Sequence, residues 1–262
     1  MRPILLFVLL SSTLLACQKE EASSRRPQGR TTGPSASRAP APGDAQVRGK
    51  VFLYGAPPPA ELATVASVEA HCGESVVDPS VKVSDANGLG EVVVFLDVDE
   101  GPVLEGAAEP VLDQQGCRYV PAVLAARAGA ELSVRNSDPL IHNVRSVASG
   151  RSLFNVAMPL EGMRILRKLP TKAGVVEVGC DLHPWMRASV RTFAHSWFTS
   201  TDAEGRFSLG GLPAGRYRIG FWHPRLPEQF HEVELVDGET ATLDVGWKGA
   251  QLEGLPRLAG SR

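Results

Sequence analysis

From Val47 onward, apolar and polar positions alternate in short runs at 47–54, 75–83, 91–98, 117–124, 130–136, 163–169, 175–180 and 188–193. Each run is rich in Val, Leu, Ile or Phe and is bounded by Gly, Pro, Asn or Asp, which predicts strands joined by tight turns. A second block begins near Thr199, where 201–209 reads as a turn and an alternating strand and 212–219 reads as another. Only 61–70 has weak helical periodicity, and there is no long amphipathic helix and no repeat of fixed period. The pattern predicts an all-β chain of the sandwich or barrel kind.

Composition agrees with this pattern and narrows the function. With 26 Gly and 20 Pro in 262 residues, turn formers are in excess without a collagen-like period. A formal net charge of −2 offers no footing for nucleic acid, whose binders carry basic stripes. The chain has no nucleophile elbow, phosphate loop or paired catalytic carboxylates, so the expectation is a carrier or binding protein and not an enzyme.

The amino terminus departs from the strand pattern. Arg2 precedes a continuous apolar run from Ile4 to Leu10, too short to span a bilayer, as in a secretory signal peptide. Leu14-Leu15-Ala16-Cys17 resembles a bacterial lipobox, which implies cleavage after residue 16, lipidation of Cys17 and a stable membrane anchor. Gln18 stands where retention at the inner membrane shows Asp, so the resemblance implies a cell-envelope protein at the outer membrane, facing the periplasm. Residues 17–45 hold almost no large apolar side chain and cannot offset their ordering entropy; they are expected to form a disordered tether reaching about 30 Å.

Chemistry concentrates in Cys180-Asp181-Leu182-His183-Pro184-Trp185-Met186, a turn between two strand-like runs. Thiolate, imidazole and thioether at C-x2-H-x2-M spacing are the soft and borderline donors of a blue-copper site, lacking only a second histidine. His142, in Asn136-Ser137-Asp138-Pro139-Leu140-Ile141-His142-Asn143-Val144, is the candidate for that place. Zinc competes, but structural zinc favours paired cysteines or histidines at close spacing, and methionine is not its usual ligand. Met158 and Met163 lie off the Cys180 loop. His71, His195, His223 and His231 have no ligand spacing and are expected at the surface or in packing.

These two motifs resemble the cupredoxins, particularly the amicyanin-like type with a short ligand loop ending H-P-aromatic-M. The resemblance spans about residues 80–193 and implies a Greek-key sandwich holding one type 1 copper ion per chain. His142, Cys180 and His183 would be the strong ligands and Met186 the weak axial one. Asn136 and Asn143 would pin the ligand turns, with plain turn chemistry as their alternative role. Trp185 would either border an apolar docking patch or cap the barrel end.

Thr201-Asp202-Ala203-Glu204-Gly205-Arg206-Phe207 and Leu212-Pro213-Ala214-Gly215-Arg216-Tyr217 resemble the carboxypeptidase regulatory-like, prealbumin-type sandwich, and 47–51 resembles that family's first strand. The implied organisation is an N-terminal strand region at 46–75, open to assignment to the C-terminal sandwich, a cupredoxin-like domain at 76–193, the small sandwich at 194–248 and a tail at 249–262.

Cys72 and Cys117 remain. In an exported chain such a pair is expected to form a disulfide, with two unpaired buried thiols as the alternative. The resulting expectation is a tethered copper protein passing single electrons between redox partners such as a c-type cytochrome or an oxidase. The alternative is a copper-handling lipoprotein that delivers or sequesters the ion without shuttling electrons.

Overall fold

The structure, a computed structural model, describes residues 40–55, 62–64, 69–72, 75–77, 81–104 and 108–249. The signal peptide at 1–16, Cys17, the tether up to residue 39, most of the 61–70 stretch and the tail beyond 249 lie outside the described residues. In chain order come β1 (Ala45–Tyr54), β2 (Leu62–Thr64), the one-turn helix α1 (Glu69–Cys72), β3 (Ser75–Val77), β4 (Lys82–Val83), β5 (Leu89–Gly90) and β6 (Val93–Leu96). The middle of the chain holds β7 (Val111–Gln114), β8 (Tyr119–Val120), β9 (Val123–Arg127), β10 (Glu131–Asn136), β11 (His142–Ala148), β12 (Arg151–Met158), β13 (Arg164–Lys168), β14 (Gly174–Gly179) and β15 (Arg187–Phe193). The last part adds β16 (Phe198–Ser200), β17 (Arg206–Leu212), β18 (Gly215–His223), β19 (Leu226–Leu235), β20 (Thr240–Thr242) and β21 (Val245–Lys248). Apart from α1 the described chain is all β.

The strands enclose two apolar cores. One lies between the sheet β13-β10-β7-β8 and the sheet β12-β11-β14-β15-β9. It is filled by Leu112, Tyr119, Leu132, Val134, Val144, Met158, Val176, Val178, Met186 and Val190. The other lies between the β17-β1-β20 sheet, with β21 also on β1, and the sheet β16-β6-β18-β19. Trp197, Trp247, Leu53, Phe207, Ile219 and Phe221 dominate it. Strand β1 runs antiparallel to β17 and parallel to β20 and β21, so the first strand and the last block share one core while β7 to β15 build the other.

The run at 91–98 forms a strand, but outside the sheets of the 76–193 domain in which the resemblance implied it. β6 pairs with β16 and β18, in the sandwich shared by the chain's two ends, and not with the strands that carry the metal-ligand motifs. Val94 and Leu96 face one core, while Val93 and Phe95 face a third apolar cluster with Val123, Phe193 and Trp222, which joins the two bodies. A strand covered on both faces loses alternation and becomes a continuous apolar run. Arg191 lies over the rings of Phe95, Phe193 and Trp222 at 5.3, 5.7 and 5.4 Å and pairs with Glu228, closing this junction.

The turn after Asp202 needs its glycine. Gly205 has φ +80°, and a Cβ there would stand 2.1 Å from the carbonyl oxygen of Val51. Both constraints exclude a side chain and bring β17 onto β1.

His223 ends β18 fully buried, its Nδ1 accepting the Arg225 N–H at 3.2 Å. Burial, helped by the charge of Arg225, pushes its pKa down to about 3. An unfolded chain takes up this proton near pH 6.5 and the folded chain only near pH 3, so the folded state is penalised as pH falls through that window. The penalty reaches up to roughly 5 kcal/mol at the acid end. Urea midpoints should therefore drop more steeply between pH 7 and pH 4 in the wild type than in His223→Asn, whose amide oxygen can replace Nδ1 as acceptor. Parallel curves would remove His223 from the account.

Candidate metal centre

The two motifs meet at one end of the core that β7 to β15 enclose. β11 pairs with β14 so that Arg145 faces Gly179 and Ser146 faces Val178, which brings the start of β11, at His142, beside Cys180 just past the end of β14. The turn before His142 is built by Asn136. Its Nδ2 donates to the carbonyls of Leu140 (2.8 Å) and Met158 (2.9 Å), and its Oδ1 accepts the Asp138 N–H at 3.0 Å. Asn143 fastens the second loop to the first. Its Oδ1 accepts the N–H of Asp181 at 2.6 Å and the Cys180 thiol at 3.2 Å, and its own N–H donates to Cys180 Sγ at 3.5 Å. The Cys180 loop closes on itself through Cys180 N–H to Met186 O (3.2 Å) and Met186 N–H to His183 O (2.9 Å).

Side-chain donors converge inside this frame. His142 Nδ1 lies 2.8 Å from His183 Nδ1, and Cys180 Sγ lies 3.6 Å from that same nitrogen. All three donor atoms fall within 4.8 Å of one another, and all three residues are buried. Met186 is buried in the same cluster as Cys180. Met158, also buried, is the cross-strand partner of His142 on β12, while Met163 is half-buried at the edge of this core. Trp185 is half-buried against His183, with ring centroids 5.2 Å apart, and donates from Nε1 to Cys117 O at 3.1 Å. Beside these loops Ile141 and Leu182 stand about half exposed.

Burial sets the protonation of these donors. It pushes the imidazoles of His142 and His183 down, the latter further through its charge neighbour His142, and it pushes the Cys180 thiol up. Neutral imidazoles are what a cation requires, and a cation between the three donors would reverse the penalty on the thiolate. The far nitrogen of His142 is fixed by Asp138, whose Oδ2 lies 2.9 Å from Nε2. Burial works to raise the Asp138 carboxyl, but hydrogen bonds from Cys117 N–H, His71, His142 and Gly116 N–H together hold it below the usual carboxylate range. Asp138 therefore accepts, His142 carries its proton on Nε2, and the Nδ1 lone pair faces Cys180 and His183.

Tyr119 closes the back of the site. Its hydroxyl lies 3.2 Å from the carbonyl oxygens of both Asn143 and Gly179, the chain neighbours of His142 and Cys180, and accepts Gln114 Nε2 at 3.2 Å. Burial, with the Cys180 sulfur close by, raises the phenol far above its ordinary value, so it stays neutral. A tyrosine in a strand reads from the sequence only as a core aromatic, and neither Tyr119 nor Asp138 stood out there as a support of the candidate ligands.

The cysteines are used separately. Cys72 and Cys117 form a disulfide with Cα atoms 5.6 Å apart, and Cys180 is free and buried. His71, for which spacing gave no partner, lies with Nε2 3.1 Å from Asp138 Oδ1. His71, Cys117 and Asp138 also sit close enough to ligate an ion, but the Cys117 sulfur is spent in the disulfide.

No protein-family model and no curated protein matches the chain. Among solved structures, a Cu(I) form of an amicyanin variant is similar, with 22% identity over 38% of this chain and 97% of that chain, at a TM-score of 0.29. A purple cupredoxin from Nitrosopumilus maritimus is similar with 25% identity over 32% of this chain and 99% of that chain, at a TM-score of 0.28. With TM-scores this low, the chemistry of the site rests on the chain's own side chains.

Proposed function

We propose that the chain binds one copper ion through His142 Nδ1, His183 Nδ1 and Cys180 Sγ, with the Met186 thioether as a weak fourth donor, and that it carries single electrons between redox proteins. The observation that carries this reading is the convergence of two imidazole nitrogens and one thiol sulfur, all buried, within 4.8 Å. Two nitrogens and a sulfur, with a methionine buried in the same cluster, fit copper better than zinc, calcium or magnesium. Bound there, copper supplies a one-electron Cu(I)/Cu(II) couple. The chain's own part is to hold the donors on β11 and the loop after β14, to keep water out and to pin His142 in one tautomer through Asp138. A frame that both oxidation states share keeps the reorganisation on electron transfer small. The half-exposed Ile141 and Leu182 beside the buried imidazoles give a partner such as a c-type cytochrome an apolar surface close to the site.

The lipobox-like segment ending at Cys17 supports anchoring to the periplasmic face of the outer membrane, where residues 17–45 would let the folded unit swing between donor and acceptor. Repeated reduction with ascorbate and reoxidation with ferricyanide should bleach and restore the visible colour of the copper-loaded protein with all copper retained. Loss of the ion to an added Cu(I) chelator at each reduction would overturn the electron-carrier reading in favour of copper delivery.

A further inference from the structure

His71 lies 71 residues before His142 and on no ligand strand, yet the two rings address the same carboxylate. Asp138 Oδ2 sits 2.9 Å from His142 Nε2 and accepts the Cys117 N–H at 2.9 Å. Asp138 Oδ1 sits 3.1 Å from His71 Nε2 and accepts the Gly116 N–H at 2.7 Å. Each oxygen thus meets one backbone donor and one histidine. The backbone donors point inward because Gly116 and Cys117 both take positive φ, 59° and 58°, a pair of left-handed residues that turns successive N–H groups toward one anion. Cys117 is also the residue bonded to Cys72, the chain neighbour of His71, so one disulfide seats both the turn that grips Asp138 and the helix that carries His71.

We propose that His71 is a positioning residue for the metal centre, acting through Asp138 to fix the ring orientation and tautomer of His142. The inference rests on the reading of His142 as a ligand, while the hydrogen bonds that link His71, Asp138 and His142 involve only the chain's own groups. His71 is the one donor to Asp138 on a half-exposed side chain, so it completes the carboxylate's set from outside the core. Without it Oδ1 keeps only Gly116, the carboxylate is freer to turn, and the hydrogen bond that selects Nε2–H on His142 weakens. The hydrogen bond that it supports, between His142 Nε2 and Asp138, is of the kind typically worth 10- to 100-fold in metal affinity.

The sequence of contacts also predicts that an amide cannot stand in for the carboxylate. In Asp138→Asn, whichever oxygen becomes NH2 meets a backbone N–H, from Cys117 or from Gly116, and a backbone donor cannot change its proton. Placed at Oδ2, the amide would in addition drive the His142 proton onto Nδ1, the atom facing Cys180 and His183.

Nitrogen-15 NMR of the metal-free protein, with Cu(II) affinity by competition, tests the proposal. Wild type should show His142 as the Nε2–H tautomer with a slowly exchanging proton. His71→Leu should keep the fold, broaden or lose that Nε2–H signal and bind copper about tenfold more weakly. His71→Gln, whose amide nitrogen can reach as Nε2 does, should restore both. An unchanged His142 Nε2–H signal in His71→Leu would overturn the proposal, as would a loss that His71→Gln fails to restore. A wild type that shows the tautomer and its dependence on His71 but takes up no copper would leave the positioning role standing and sink the copper reading instead.

Discussion

Copper-loaded Cys180→Ser is expected to lack the intense visible absorption of the wild type and to bind copper more weakly by more than the 10- to 100-fold typical of losing a ligand's outer hydrogen bond. The reason lies in the division of labour at the site. His142 and His183 supply nitrogen donors that many cations accept, whereas the sulfur alone makes the set soft and gives a thiolate-to-metal transition. Serine is close in size and can still accept the Asn143 N–H that now reaches Cys180 Sγ, so the metal-free variant should unfold within about 1 kcal/mol of wild type. A variant that kept its colour would remove Cys180 from the site. A variant that failed to fold would show the sulfur to be structural, contrary to the account.

The double variant Cys72→Ala, Cys117→Ala should lose about 4 kcal/mol of stability, because the crosslink spans 45 residues and its removal returns that loop entropy to the unfolded chain. For a folded unit of this size the transition should fall by on the order of 10 °C. The wild type in excess reductant should follow the same curve. Thermal unfolding with and without reductant measures both, and a loss below about 1 kcal/mol would mean that the crosslink closes a loop already held by other contacts. The same bond anchors the turn whose N–H groups grip Asp138, so its removal should also weaken metal binding and not stability alone.

Much of this molecule is legible before any coordinates. The runs at 47–54, 130–136, 163–169, 175–180 and 188–193 coincide within a residue or two with β1, β10, β13, β14 and β15. The first four alternate between a core face and a more exposed one, and β15, covered on both faces, reads as a short run rich in apolar residues between turn signals. The run at 117–124 is split into β8 and β9 around Pro121, which has no N–H to give a ladder. β7, β11 and β12 escaped the pattern for different reasons. β7 is four residues long, β11 mixes a buried His142, Asn143 and Ser146 among its apolar positions, and β12 is an exposed edge.

The site divides in the same way. His142, Cys180 and His183 were legible because three of the four candidate ligands share one seven-residue loop and the fourth sits in a turn of recognisable composition. Asn136 and Asn143 were visible as turn formers, and their side-chain amides make the bonds that hold both ligand turns. Asp138 and His71 were not, since a hydrogen bond between residues 67 apart leaves no periodicity to read. Tyr119 was hidden in the same way, its role lying in an oxygen that meets carbonyls of two distant strands.

The most direct test of the central claim is a copper titration of the wild-type protein followed by visible absorption. An intense thiolate-to-copper band that grows linearly and stops at one copper per chain is the expected result. Copper bound without such a band, or no saturable uptake, would contradict a centre built on Cys180, His142 and His183.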